Sequence, residues 1–326
     1  MRIRGQASQA REQSGVYHYD PMVEAAWLYF KDGLPQHEIA QRLGVSRAKV
    51  SNLLAAARVA GVYRVSFDQD IFDQIGVAEA LKERHGLDAA LVVPSTGSLA
   101  ERRARVASAG AWHLTEGFAD CEQLGVCWGQ TVLELGHALE PTETRIRRVC
   151  QMVGVARSEL CKLAEACNSS IAMRLGADVL QFPAPGVVSS RRLFEDILAE
   201  PIVSEQFETM RALDAALFGV CSIKPDSPFF ASGLARGIAP EQLLHDGVVG
   251  IVGGRMFRRD GNPVRMEGYD DRLLALELDE LRRIPRRFGV AAGLEKADAI
   301  RGALRAGLMT ALATDFDTAC AILNDA

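Results

Sequence analysis

From about residue 68 onward the chain repeats one pattern: a short apolar run, then a stretch with helical spacing, then another apolar run. The runs are "AALVVP" (Ala89–Pro94), "QLGVCWG" (Gln123–Gly129), "RRVCQMVG" (Arg147–Gly154), "DVLQFPAP" (Asp178–Pro185), "AALFGVCSI" (Ala215–Ile223), "VVGIVGG" (Val248–Gly254), "RFGVAAG" (Arg287–Gly293) and "LMTALATD" (Leu308–Asp315). Helical stretches between them are Phe72–His85, Glu101–Thr115, Thr131–Leu139, Leu160–Gly176, Arg191–Leu198 and Lys296–Ala306. Strands this apolar need cover on both faces, which crossover helices provide. Strand–helix–strand order in repetition therefore predicts an α/β fold with a Rossmann-like, largely parallel sheet.

Ligands of such sheets sit beyond the carboxyl ends of the strands, where a loop feeds a helix N-terminus. Two loops fit. In "CWGQTVLELGHAL" a strand ends, Gly129 permits close backbone approach, and Thr131 adds a hydroxyl to unpaired N–H groups suited to a phosphate or an array of hydroxyls. In "GVAAGLEKADAIRGALRAG", Gly293 closes a strand and Lys296 opens a helix, where its ammonium can act as a point charge on a phosphate. Neither loop is a Walker loop or a G-x-G-x-x-G fingerprint, so no nucleotide cofactor is expected.

The first part of the chain is organised differently. Asp20 is a plausible N-cap before Pro21, and Met22, Val23, Ala26, Trp27 and Phe30 recur at helical steps up to Lys31. A second helix is expected over Pro35–Leu43, and a third begins after Ser46 with Val50, Leu53, Leu54 and Ala57 as its apolar set. Ala40 supplies the small residue where two helices cross, and Gly44 the left-handed turn. Val50 and Leu53 stand where the last helix must be anchored. Together these make a helix-turn-helix. Its exposed face then carries Arg47, Lys49, Ser51 and Asn52. Arg47 and Lys49 suit guanine or phosphate, and Asn52 suits adenine. Ser46, Ser51, Gln36 and His37 are placed for phosphates. "VYRVSF" (Val62–Phe67) alternates like a short strand, either a wing or the entry to the next domain.

Charge supports this division. The chain of 326 residues has a formal net charge of -5. Residues 1–66 hold nine Lys/Arg and five Asp/Glu, a net of +4, and the remainder holds 28 and 37, a net of -9. A basic head is thus joined to an acidic body, and screening makes the local sign the one that DNA meets. The expected organisation is a flexible arm over 1–18, a helix-turn-helix domain over 19–66 and an effector and oligomerisation domain over 67–326. With 48% hydrophobic and 24% charged residues the composition is that of an ordinary soluble protein. No uncharged apolar run approaches the roughly 20 residues of a membrane span, and no secretory h-region occurs, so a cytoplasmic protein is expected. Seven cysteines include no C-x-x-C pair. They read as reduced, buried thiols rather than a metal site.

The motifs together resemble the SorC (sorbitol-operon regulator) family of bacterial transcriptional regulators. The resemblance runs from about residue 20 to the C-terminus through "AAWLYFKDGLPQHEIAQRLGVSRAKVSNLLAAARVAGV", "LGVCWGQTVLELGHAL", "FPAPGVV", "DGVVGIVGGRMFRRDGNPV" and "GVAAGLEKADAIRGALRAGLMTALATD". It implies a helix-turn-helix joined to a sugar-phosphate-isomerase-like domain that senses a sugar, sugar phosphate or polyol. Gly129, Gln130 and Thr131 fall in the phosphate loop by that resemblance, and Lys296 on the ligand-contacting loop. One position departs. After the first glycine of "VVGIVGG" the family commonly carries an acidic residue that can contact hydroxyls, and here stands Ile251.

The function expected is ligand-responsive regulation of transcription, with operator DNA and a homodimer or homotetramer as partners. The alternative is a sugar-phosphate isomerase-like enzyme. None of the six histidines sits in a recognisable loop motif, and Asp226, Asp260 and Asp270 read as turn formers.

Overall fold

The computed structural model describes residues 20–63, 69–155, 159–225, 227–235 and 237–324. The chain divides into two compact units, Met1–Asp68 and Gln69–Ala326. The arm expected over 1–18, most of "VYRVSF" and Asp226 lie outside the described residues.

The smaller unit holds three helices: α1 (Pro21–Phe30), α2 (Gln36–Leu43) and α3 (Arg47–Val59). Asp20 caps α1 by accepting from the Met22 N–H at 2.9 Å. Gly44 ends α2 at φ 65°, ψ 32°. That conformation lets the Val45 N–H reach the Ala40 carbonyl at 2.9 Å and turns the chain into α3. Ser46 caps α3, its Oγ accepting from the Lys49 N–H at 3.2 Å. Ala25, Ala26, Leu28, Ile39, Ala40, Val50, Leu54 and Ala57 form the core. Val50 and Leu54 are buried and Leu53 is half-buried, packed against the same core. One expectation is corrected here. The buried face of α1 is Ala25, Ala26 and Leu28, while Trp27 stays 59% exposed. Small side chains let α1 pack closely on α2 and α3. A Gly44→Ala change would force a side chain into the left-handed region, at about 1 kcal/mol. Amide hydrogen exchange in α2 and α3 of the whole chain should quicken accordingly.

In the larger unit α4 (Gln69–His85) precedes β1 (Ala89–Val93), α5 (Leu99–Gly117), β2 (Gln123–Val126), α6 (Gln130–Ala138), β3 (Arg148–Gln151), α7 (Glu159–Leu175) and β4 (Asp178–Leu180). Then follow α8 (Arg191–Leu198), α9 (Pro201–Arg211), β5 (Ala215–Gly219), β6 (Cys221–Ser222), α10 (Pro228–Ala231), α11 (Pro240–His245), β7 (Val248–Val252), β8 (Arg255–Arg258) and β9 (Pro263–Val264). The unit closes with α12 (Leu278–Arg283), β10 (Arg286–Val290), α13 (Ala297–Arg305), β11 (Ala311–Asp315) and α14 (Phe316–Leu323).

Seven strands form a sheet in the order β1-β11-β10-β5-β2-β3-β4, and every neighbouring pair is parallel. Strand alternation separates two cores. Ala215 and Leu217 of β5 pack with Val106 and Leu114 of α5 and Leu135 of α6. Ala216 and Phe218 face the other way, into a core with Met210, Ile300 and Leu312. The fold is thus α/β, with helices on both faces of a parallel sheet.

Three of the expected strands are different in the structure. "AALFGVCSI" breaks at Val220: β5 lies in the parallel sheet, but β6 joins a second, antiparallel sheet of order β6-β7-β8-β9. "VVGIVGG" supplies β7 of that second sheet, with Gly253 and Gly254 at φ 58° and 83° as the two-residue turn into β8. "DVLQFPAP" is a strand only over Asp178–Leu180. Asp270 is no simple turn former either. It is buried and paired with Arg255 at 2.7 Å. Among the described residues no helix is long and apolar enough to cross a membrane.

Candidate functional site

Helix α3 presents Arg47, Lys49, Ser51 and Asn52 to solvent, on the face away from Val50, Leu54 and Ala57. Neither Arg47 nor Lys49 is held in an ion pair with any described residue. At the start of α2, Gln36 is half-buried and His37 exposed, with His37 Nε2 3.9 Å from Glu38. The Ser46 Oγ is engaged in the cap, which leaves its hydrogen free to donate to a phosphate. The face so formed is cationic and rich in donors, as a helix entering a DNA groove requires.

In the larger unit the loops after β2, β5 and β10, three adjacent strands, open at one end of the sheet. They enclose a cleft of about 600 Å³ whose polar lining includes Arg103, Gln130, Ser222, Lys224, Ser227, Glu295 and Lys296. Gln130 is the first residue of α6, whose N-terminus has no side-chain cap. Its free N–H groups and the two lysines favour an anion. Arg103 is held on Glu134 at 2.6 Å. Ser227 is 5% exposed, and its Oγ is buried with no hydrogen-bond partner among the described residues. A buried hydroxyl left unpaired is costly and marks a position that a ligand can fill.

Of the residues singled out in the sequence, Gln130 and Lys296 line this cleft together. Gly129 and Thr131 are buried behind it and are not among its lining residues. The Gly129 carbonyl instead accepts from Leu133 N–H at 2.9 Å, inside the first turn of α6. Ser222, Lys224 and Ser227 escaped notice in the sequence, because "CSIKPDS" reads as an ordinary strand end and turn. Their signal was only that they follow a strand beside the one that ends at Gly129. Asp315 escaped notice too. It is fully buried, and its Oδ2 accepts from the Gly293 N–H at 2.7 Å and the Thr318 hydroxyl at 2.8 Å. Its Oδ1 accepts from the Ser95 hydroxyl at 3.1 Å. That carboxylate fixes the loop on which Lys296 stands.

Cys121, Cys127, Cys150 and Cys167 are buried in the cores of the larger unit. Cys127 and Cys150 are pushed up to about 12, and Cys167 to about 11, by burial. They are neutral thiols at any physiological pH. Burial also raises Cys221, while the charge of nearby Lys296 draws it down.

Residues 69–324 match the family described as "Putative sugar-binding domain". The transcriptional regulator YjhU of Escherichia coli K12 is 31% identical over 312 residues, covering 94% of this chain and 95% of its own. The transcriptional regulator LsrR of Klebsiella pneumoniae is 31% identical over 311 residues, covering 93% and 92%. Among solved structures, the full-length sorbitol operon regulator SorC of Klebsiella pneumoniae superposes with a TM-score of 0.71 at 23% identity, covering 93% of this chain and 98% of that one. A DeoR family transcriptional regulator from Listeria monocytogenes gives 0.70 at 24%, covering 76% and 99%. The protein is therefore a transcriptional regulator with a sugar-binding domain, and not an enzyme. The chain belongs to the SorC family of sugar-binding regulators.

Proposed function

We propose that the chain binds operator DNA through the exposed face of α3 and the start of α2, and senses a sugar, sugar phosphate or polyol of a carbohydrate catabolic pathway in the cleft at Lys296. Arg47, Lys49 and Asn52 read bases; Gln36, His37, Ser46 and Ser51 hold phosphates. Gln130, Lys224, Ser227 and Lys296 hold the effector, with Gly129 and Thr131 supporting the loop from behind. The working boundaries are a DNA-binding domain over 19–66 after an arm over 1–18, and an effector domain over 67–326. A single head offers few phosphate contacts, so the protein acts as a cytoplasmic homodimer or homotetramer on a partly palindromic operator.

The observation that carries the effector reading is a cleft lined by Lys224 and Lys296 beside the uncapped N-terminus of α6, with the unpartnered Ser227 among its lining residues. A ligand that binds only the folded state raises its melting temperature. A thermal-shift screen of sugar phosphates and polyols should find such a ligand, and Lys296→Ala should abolish most of its effect while leaving the unliganded melting temperature unchanged. Full stabilisation of the Lys296→Ala variant would place the effector elsewhere.

A further inference from the structure

Asp315 ends β11 and caps α14. It is fully buried and is not among the residues that line the effector cleft. Its carboxylate joins three segments that are far apart in the chain. Oδ2 accepts from the Gly293 N–H at 2.7 Å and from the Thr318 hydroxyl at 2.8 Å. Oδ1 accepts from the Ser95 hydroxyl at 3.1 Å and from the Thr318 N–H at 3.3 Å. All of these partners donate, which suits a carboxylate, an acceptor at both oxygens.

Two of the three segments supply lining residues of the cleft. Gly293 belongs to the β10–α13 loop, where Ala292, Glu295 and Lys296 line it. The φ of 113° at Gly293 is open to glycine and strained for other residues, so the loop has little stiffness of its own there. The Gly293 carbonyl accepts from the Lys296 N–H at 2.9 Å. Lys296 is thus one hydrogen bond away from the residue that Asp315 holds. Ser95 belongs to the β1–α5 loop, and α5 clasps that loop. Arg102 Nε donates to the Gly97 carbonyl at 3.3 Å, and Arg105 Nε to the Pro94 carbonyl at 3.2 Å. A hold on Ser95 is therefore a hold on α5, which carries Leu99 and Arg103 into the lining of the cleft. The third segment, α14, supplies no lining residue.

We propose that Asp315 is a positioning residue of the effector cleft, fixing Lys296 relative to Arg103 without touching the effector. This rests on the effector reading above and deepens it. A charged ligand binds more tightly when the cations that meet it are already held in place. Asparagine is no substitute. Each carboxylate oxygen faces a backbone N–H, from Gly293 or from Thr318, so an amide nitrogen in either orientation opposes one of them.

The test is isothermal titration of the whole protein with glycerol 3-phosphate, D-ribose 5-phosphate, D-glucose 6-phosphate, D-glucose and D-mannitol. For the tightest binder of the five, Asp315→Asn and Ser95→Ala should each weaken binding by about tenfold or more. Thr318→Val removes a hydrogen bond from the same carboxylate, but one made to α14 alone. It should lower the melting temperature of the free protein and change that affinity by less than about twofold. A carboxylate that only stabilises the fold would give no such split. If Asp315→Asn fails to fold, Ser95→Ala set against Thr318→Val decides the matter. Unchanged affinity in either of the first two variants, or equal weakening in Thr318→Val, would overturn the inference; loss of binding in Lys296→Ala would then leave the effector reading standing. Binding by none of the five at about 10 mM, or binding undiminished by Lys296→Ala, would overturn both.

Discussion

Arg255→Ala should lower the stability of the larger unit by about 3–5 kcal/mol, the largest effect of any single change considered. The Arg255 side chain is 5% exposed and spends its donors on five partners. Nη1 meets Asp270 at 2.7 Å, and Nη2 meets Glu277 at 3.1 Å and the Ala275 carbonyl at 3.0 Å. Nε donates to Leu276 O at 3.2 Å, and Nη2 reaches Leu273 O at 3.4 Å. Asp270 in turn accepts from the Met266 N–H at 2.7 Å. Truncating the arginine leaves the buried Asp270 carboxylate without its counter-ion and removes a donor from three carbonyls, which costs more than the ion pair itself contributes. For a unit of this size that corresponds to a fall in melting temperature of roughly 6–20 °C. The double change Arg255→Met with Asp270→Leu should recover part of the loss, since no buried charge is then stranded and Glu277 is open to solvent. Urea unfolding of both variants measures this, and a loss below about 1 kcal/mol in Arg255→Ala would show that the network does not hold the fold. The consequence reaches a smaller cavity lined in part by Val153 and Ile251. Arg255 ties β8, and so the hairpin carrying Ile251, to the segment that bridges Val153 through Ala275.

The second large effect concerns DNA. Arg47→Ala together with Lys49→Ala should weaken binding to sequences selected by the unmodified protein by about 30-fold or more, since each side chain bonded to a base edge is worth about 1–3 kcal/mol. If both side chains bond phosphates instead, the salt dependence of binding should become shallower by about two ions. Asn52→Ala should relax the preference at one adenine position. All three side chains are exposed, so melting temperature and effector response should stay unchanged. Fluorescence anisotropy across a salt series separates base reading from phosphate binding. Unaltered affinity in the double variant would remove α3 from the role of recognition helix.

Where expectation and structure diverge, the reason is packing between distant segments. On α1 the large side chains Trp27 and Phe30 have helical spacing, yet the alanines are inside, because helices that cross closely have room only for small groups. Leu53 and Leu54 are chemically identical neighbours, and only the angle at which α3 meets α1 and α2 makes Leu54 the deeper one. "VVGIVGG" has the composition of a buried parallel strand, but β7 pairs with β6 and β8 instead. Strand pairing is a property of two segments, and neither sequence alone carries it.

By itself the sequence determined the elements that depend on local chemistry. Asp20 and Ser46 cap their helices, Gly44 makes the left-handed turn between α2 and α3, and alternating strands and helices lead to a parallel sheet. Backbone conformation and hydrogen-bond capping act over a few residues, so a short stretch is sufficient to encode them. It also placed Gln130 and Lys296 at strand–helix turns. Only the tertiary structure decided that these two share a cleft with Ser222, Lys224 and Ser227, more than 90 residues from Gln130 along the chain. It decided, too, that Ile251 is buried opposite Cys221, because the branch into a second sheet at Val220 brings β7 against β6. Convergence of this kind follows from strand order and burial, which the whole chain settles at once.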